Sequence, residues 1–330
     1  MELSNFELFF LAIGAMGLGT MLLVRGGDWT IDAAVYIARK IGVSPLVVGF
    51  TVVAFGTSLP ELIVSVNANL NGSAGIAIGN VLGSNIANIL LVIGASAAVT
   101  TLITDPKSVL RDILAMILAT ILIMAMMLTG AITPVAGAIM IALLVAYVVW
   151  QYRNAKLGNI ETEDLEEPEF AKDVHAYLFL LGGLVFVALG AEFLVRGAQV
   201  SAGILGVPEA VIALSLIAIG TSLPELSTCI AAAMKKQSDI IIGNIIGSNF
   251  FNIMMILGTA SVIKTIDVTQ AGPEVITRDI WVMLGVTLFF SLTLLLRGKI
   301  GRVSGVLYLV AYAVYMVAIF LMSQEAHLPL

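Results

Sequence analysis

The sequence predicts an all-α membrane protein of ten transmembrane helices, arranged as two inverted five-helix repeats. Three observations predict it. Of 330 residues, 59% are hydrophobic and only 12% charged, whereas a soluble domain carries about a quarter charged residues. Ten apolar runs reach spanning length, roughly 20 residues each, five on either side of a polar linker. One polar motif also occurs twice inside the most hydrophobic stretches, at a constant offset of 164 residues (53 to 217).

The first run, 6–24, follows Met1-Glu2-Leu3-Ser4-Asn5. That start has neither the basic region nor the cleavage pattern of a signal peptide, so the run is expected to stay as a helix. A longer link around Asp28 and Asp32 leads to the second run at 43–70, and the sequence leaves open whether that link is a short surface helix. Gly, Asn and Ser at 71–75 break the chain before 75–103. Asp105-Pro106-Lys107 precedes 109–129, and Thr129-Gly130 precedes 132–151. The second half follows the same plan with 177–198, 207–234, 239–263, 279–296 and 303–322. Its breaks are Lys235-Lys236-Gln237-Ser238, Gly272-Pro273 and Arg297-Gly298-Lys299. The domains are therefore a first repeat at 1–152, an acidic cytoplasmic linker at 153–174 and a second repeat at 175–330. The linker's acids (Glu161, Glu163, Asp164, Glu166, Glu167, Glu169 and Asp173) read as a solvated connector. They lack the spaced ligands and turn glycine of a calcium-binding loop.

Basic residues set the orientation. With ten spans, every Lys and Arg except Arg196, Lys264 and Arg278 falls on one face of the membrane. The positive-inside rule makes that face cytoplasmic and puts both termini outside, in a multi-pass protein of the plasma (inner) membrane. Five spans per half is odd, so the second repeat enters the bilayer from the opposite side. Inverted repeats are a transporter signature, with the site near the midplane where they meet. Leu23-Val24-Arg25-Gly26 and Leu194-Val195-Arg196-Gly197 echo the repeat more weakly.

The motif itself reads Gly56-Thr57-Ser58-Leu59-Pro60-Glu61 and again Gly220-Thr221-Ser222-Leu223-Pro224-Glu225. Between residues 41 and 104, Glu61 is the only ionisable side chain, and a carboxylate in apolar sequence is costly unless it functions. Thr57 and Ser58 precede it by four and three residues, on the same helical face. Pro60 has no N–H and crowds the carbonyl of residue 56, so a kink is expected that frees backbone oxygens. Carboxylate, hydroxyls and loosened carbonyls make an all-oxygen surface suited to a hard cation. The third span adds Asn80, Ser84 and Asn88 in one stripe, matched by Asn244, Ser248 and Asn252 in the eighth. Asn85 and Asn249 lie off that stripe by about a hundred degrees and are expected to brace helices.

Small and polar residues are also ordinary glue between membrane helices, so each alone carries little weight. Glu192 has Arg196 four residues on and reads as a structural ion pair. Cys229 matches Ser65 and reads as small filler. His175 and His327 lie outside the spans. The single cysteine excludes an internal disulfide, and no basic stripe with interleaved aromatics suggests nucleic acid.

In these motifs the chain strongly resembles the calcium/cation antiporter superfamily, specifically the prokaryotic sodium/calcium exchangers. Gly-Thr-Ser-Leu-Pro-Glu with Gly-Asn-x-x-Gly-Ser-Asn is that family's alpha-repeat, present twice. The resemblance implies four clustered cation sites, taken alternately by one calcium or up to three sodium ions. It implies Glu61 and Glu225 as central calcium ligands, joined by backbone oxygens of Thr57 and Thr221. Ser58, Ser84, Asn88 and Ala54 would serve sodium in one half, with Ser222, Ser248, Asn252 and Ala218 in the other. The first and sixth spans would slide across the remaining eight. Some relatives carry aspartate at the position of Asn252, and asparagine there argues against potassium cotransport. Two carboxylates neutralise one Ca2+, two Na+ or two protons; a third Na+ would leave the site at +1.

The expectation is thus a secondary antiporter, functional as a monomer in the lipid bilayer, that exports Ca2+ against Na+. The expected partners are the transported Ca2+ and Na+, with H+ as the alternative counter-ion, and no covalently bound cofactor is expected. The alternative is a proton/calcium antiporter using the same two glutamates. A channel fits an inverted repeat poorly. Enzyme signatures are missing: the sequence has no Gly-x-Gly-Asp, His-Glu-x-x-His or Asp-Asp-x-x-Asp.

Overall fold

The computed structural model describes residues 5–157, 170, 173–205, 220–271 and 275–325. Its long elements are all helices. In the first half they are α1 (Asn5–Ile41), α2 (Pro45–Thr57), α3 (Leu59–Leu70), α4 (Ala74–Val99), α5 (Pro106–Leu128) and α6 (Pro134–Leu157). The second half has α7 (Asp173–Ile204), α8 (Leu223–Met234), α9 (Ser238–Ile263), α10 (Ile280–Arg297) and α11 (Arg302–Glu325). Among the described residues, eight helices are long and apolar enough to cross a bilayer, and the bent pair α2–α3 makes a ninth. The run predicted at 207–234 is represented by α8 alone, because 206–219 lie outside the described residues. Most of the acidic linker lies outside them too, as does His327. Asp173 is described; it accepts a hydrogen bond from the Tyr36 hydroxyl at 2.7 Å and pairs with Lys40 at 3.3 Å.

The first helix is longer than its predicted span. It runs unbroken from Asn5 to Ile41, so the link after residue 24 is the same helix continued. Gly26-Gly27 does not break it because both residues are packed. A Cβ on Gly26 would lie 2.7 Å from the Gly183 carbonyl oxygen, and one on Gly27 would lie 3.1 Å from that of Ser227. Other starts follow their sequence signals. Ser44 and Asp105 cap α2 and α5 through Val47 N–H and Lys107 N–H, each with proline at the first helical position.

Proline also sets the main bend. The α2 and α3 axes differ by 44°. The break falls at Ser58 (φ −85°, ψ 1°), ahead of Pro60 rather than at it, and Ser222 repeats the same backbone geometry (φ −89°, ψ 3°) before Pro224. A proline in the first turn lacks only an N–H that would be orphaned anyway. Each proline therefore starts a new helix, and Glu61 and Glu225 sit in the first turns of α3 and α8. The positive end of the helix dipole favours a carboxylate there.

The two halves interlock reciprocally. Four two-residue strands, which the sequence did not signal, are β1 (Leu102–Ile103), β2 (Ala131–Ile132), β3 (Ile266–Asp267) and β4 (Lys299–Ile300). β1 pairs antiparallel with β4, and β2 with β3, so each half lends one strand to the other at both ends of the molecule. Wide π-type turns open α4 at Asn88–Ile93 and α9 at Asn252–Leu257, equivalent positions in the repeats. Such turns insert one residue into a helix and cluster at functional sites.

Burial places α9 at the centre, enclosed along its length, with α4 beside it. Ile78, Ile86 and Ile89 of α4 and Ile245 and Ile253 of α9 have no exposed surface, and Phe50 of α2, equally buried, packs its ring against Phe250 and Phe251 of α9. The outer helices turn Phe6, Leu118, Leu128, Val135 and Val303 outward, as expected where lipid is the solvent. Helices α1 and α7 form a pair of their own. A Cβ on Gly19 would meet the Gly190 carbonyl oxygen at 2.7 Å, and one on Gly190 would meet that of Gly19 at 2.8 Å. Without side chains at this crossing the two backbones touch.

Candidate ion-binding site

The two repeated motifs meet at the middle of the molecule. Thr57, Ser58, Glu61, Ser84, Asn88, Ser222, Glu225, Ser248 and Asn252 are all buried, as is Ala54. Some of the contacts run across the repeats. Ser58 Oγ approaches Glu225 Oε1 at 3.5 Å, and Ser84 Oγ lies 3.4 Å from Thr221 Oγ1. Both are at the long limit of hydrogen bonding. Ala218 lies outside the described residues. No Lys or Arg pairs with either glutamate among the described residues.

One expectation changes at Thr57. Its hydroxyl turns back on its own helix, donating toward the Val53 carbonyl at 3.1 Å and lying 3.3 Å from that of Ala54. A hydroxyl has one hydrogen, so this use removes Thr57 Oγ as a free donor. The same hydroxyl lies 3.5 Å from Asn244 Oδ1 of the other repeat, at the long limit of hydrogen bonding.

The amides show how the site is held. Asn85 and Asn249 each donate to the other's backbone carbonyl, at 3.2 and 3.3 Å. Asn88 Nδ2 donates to Asn249 Oδ1 at 3.1 Å, and Asn252 Nδ2 donates to Asn85 Oδ1 at 3.0 Å. This fourfold brace ties α4 to α9 across the repeat. It also consumes the N–H side of Asn88 and Asn252, leaving each Oδ1 buried without a partner. Asn80 and Asn244 act one turn earlier. Asn80 donates to the Glu61 carbonyl and to Ser65 Oγ; Asn244 donates toward Thr228 Oγ1 and Cys229 Sγ and accepts from Ser248 Oγ. Cys229 is thus a buried filler with one weak polar contact, equivalent to Ser65.

The unpartnered atoms share one chemical character. Among the described residues, the buried side-chain polar atoms without a hydrogen-bond partner include both oxygens of Glu61, Oε2 of Glu225, Oδ1 of Asn88, Oδ1 of Asn252 and Oγ of Ser222. All are oxygens with free lone pairs, and five of these six have no hydrogen to give. Buried acceptors left bare are destabilising, and lone pairs of this kind can be satisfied by a cation. No group of three or more His, Cys, Asp or Glu side chains occurs among the described residues, so hydroxyl, amide and carbonyl oxygens must complete any cation shell. That donor set excludes soft-metal chemistry and matches the oxygen-only preference of alkali and alkaline-earth ions.

Two features escaped the motif reading. Thr228, whose hydroxyl donates toward the Pro224 and Glu225 carbonyls, supports the second glutamate's turn; its first-repeat counterpart is Val64, so the repeat gives no signal there. Asp112 on α5 is buried and receives hydrogen bonds from Tyr147 and Gln151 on α6, outside both repeated blocks. Glu192 and Arg196 do form the expected i,i+4 ion pair, on the exposed side of α7.

The chain is similar to known membrane proteins over nearly its whole length. A family model described as sodium/calcium exchanger protein matches residues 11–153 and again residues 175–321. The inner membrane protein YrbG of Escherichia coli is 33% identical over 95% of this chain and 98% of its own. The sodium/calcium exchanger MaX1 of Methanosarcina acetivorans is 30% identical over 92% of this chain and 97% of its own. Among solved structures, the sodium-calcium exchanger NCX_Mj soaked with Na+ and Sr2+ superposes with a TM-score of 0.81 at 33% identity, covering 93% of this chain and 98% of that one.

Proposed function

The chain belongs to the sodium/calcium exchanger protein family, and from that premise we propose that it is a secondary antiporter moving Ca2+ outward against inward Na+. The observation that carries this reading is the set of bare buried oxygens on Glu61, Glu225, Asn88, Asn252 and Ser222. Ca2+ takes six to eight oxygen ligands. Glu61 and Glu225 supply the charge, and the backbone oxygens of Thr57 and Thr221 at the two helix breaks add neutral ligands. Na+ ions use the remaining oxygens: Ser58, Ser84, Asn88 and the Ala54 carbonyl in one half, and Ser222, Ser248, Asn252 and the Ala218 carbonyl in the other. Exchange follows from competition, because both cations need the same two carboxylates and cannot hold them together.

Access alternates by movement of the α1–α7 pair over the rest of the molecule. Their backbones are in contact at Gly19 and Gly190 and at Gly26 and Gly183, which suits motion as one body. Helix α7 covers both helix breaks, with Leu184 over Gly56 and Val195 over Gly220. The architecture consistent with this motion is ten helices in two inverted repeats, with both termini outside the plasma membrane and one chain as the working unit. The test is calcium uptake into everted membrane vesicles by Glu61→Gln and Glu225→Gln. Each variant should abolish sodium-dependent uptake; full uptake by both would remove the site from the mechanism.

A further inference from the structure

A cavity with polar and charged groups in its lining, outside the repeated motifs, lies where the start of α2, the start of α5 and the end of α6 meet. It has a volume of about 380 Å³ and is lined by Ser44, Ser108, Arg111, Asp112, Gln151 and Asn154 among others. Its groups are of both charges. The Arg111 guanidinium sits 5.5 Å over the Trp150 ring, a cation–π contact that fixes the charge in place. No hydrogen bond or ion pair engages its N–H donors among the described residues. Beside it, buried Asp112 accepts from the Tyr147 hydroxyl at 2.5 Å and from Gln151 Nε2 at 2.9 Å, both on the same oxygen. Gln151 is 6% exposed, and its Oε1 has no partner. Arg111 and Asp112, successive residues of α5, thus set a fixed cation beside a carboxylate, and Gln151 of α6 adds an unpartnered amide oxygen.

Directly beneath this cavity, one helical turn deeper on the same α2 and α6 surfaces, runs an apolar groove of about 480 Å³. Val52, Phe55, Val145, Val149 and Phe251 line it, and the hydroxyl of Thr51, its one polar lining residue, is turned onto the Val47 carbonyl at 2.6 Å. The groove lies at hydrocarbon depth and the cavity at the end of the span. Together they have the shape of one amphiphile.

We propose that the polar cavity and the groove below it form a binding site for a phospholipid with a primary-amine headgroup, phosphatidylethanolamine. Arg111 takes the phosphate, for which guanidinium geometry is well suited. Asp112 and the free Gln151 oxygen take the ammonium, whose three N–H donors match them; an acyl chain fills the groove. A quaternary choline headgroup has no N–H to give, and a glycerol headgroup brings no positive charge to Asp112. The site therefore discriminates by headgroup, not by chain. It does not depend on which ions the central site carries.

The experiment is native mass spectrometry of the full chain, released from bilayers of equimolar dioleoyl phosphatidylethanolamine, phosphatidylcholine and phosphatidylglycerol. The expected result is a retained phosphatidylethanolamine adduct exceeding each of the others by about tenfold, the equivalent of one charge-assisted contact. Arg111→Gln and Asp112→Asn should each reduce that adduct to the phosphatidylcholine level, while Lys299→Gln on β4, which lines neither the cavity nor the groove, should not. Equal retention of the three lipids by the unmodified chain overturns the proposal without reference to any variant. Preference for phosphatidylglycerol, or adducts unchanged in both variants, overturns it as well.

Discussion

Replacing Glu61 by glutamine separates the cost of its charge from its use. Both carboxylate oxygens of Glu61 are buried and unpartnered, and each bare buried acceptor costs about 1–3 kcal/mol, more when charged. Without a cation, then, Glu61→Gln should stabilise the protein by at least about 2 kcal/mol, because the shape is kept and the uncompensated charge is removed. At roughly 2 °C per kcal/mol for a long chain, the melting temperature in chelator should rise by about 4 °C. Calcium should reverse the ranking. At free Ca2+ a hundredfold above its dissociation constant, the unmodified protein should gain about 2.7 kcal/mol, roughly 5 °C, through binding alone. The variant should gain little. Thermal unfolding followed by tryptophan fluorescence in detergent, with calcium and with chelator, reads both effects. A variant that melts lower in chelator and keeps the full calcium shift would refute the view that these oxygens are held bare for a cation.

Three further outcomes follow from particular contacts. Asn249→Ala removes its half of the brace, at about 1–3 kcal/mol for the groups left unpaired; it should lower the melting temperature and weaken calcium-dependent stabilisation, since Asn88 loses the acceptor that orients it. Gly243→Ala drives a Cβ into the Leu46 carbonyl oxygen on the neighbouring helix, so α2 and α9 must separate, a change of about 1–3 kcal/mol in the same melt. Asp267, at the loop end of β3, has its carboxyl held below the usual range by the Thr269 hydroxyl and backbone N–H. A depressed folded pKa gives stability that is present above the unfolded value and lost as pH falls through the folded one, so Thr269→Val should raise the Asp267 titration midpoint seen by NMR.

The duplicated motif made the central site legible because chemistry there is written in residue types that are costly in a membrane. Glu61 and Glu225 stand out for that reason, and Asn85 and Asn249 were readable as braces from their angle on the helix. The orientation of Thr57 was not, since a threonine in a helix can face its own carbonyls or its neighbours at similar cost. The length of α1 was hidden by Gly26-Gly27, which break an isolated helix but serve close packing here. The β1–β4 and β2–β3 pairs were invisible because two residues carry no periodicity. Asp112 was missed because its partners come from another helix, 35 and 39 residues away.

Exchange of Ca2+ for Na+ on shared carboxylates is decided by radiolabelled calcium uptake into proteoliposomes. Vesicles are loaded with Na+, K+ or choline at fixed pH, and a further set carries a pH gradient in sodium-free medium. Uptake is expected only with internal sodium, and is expected to be lost in Glu61→Gln and Glu225→Gln. Uptake driven by the pH gradient without sodium would contradict it and make the proton the counter-ion.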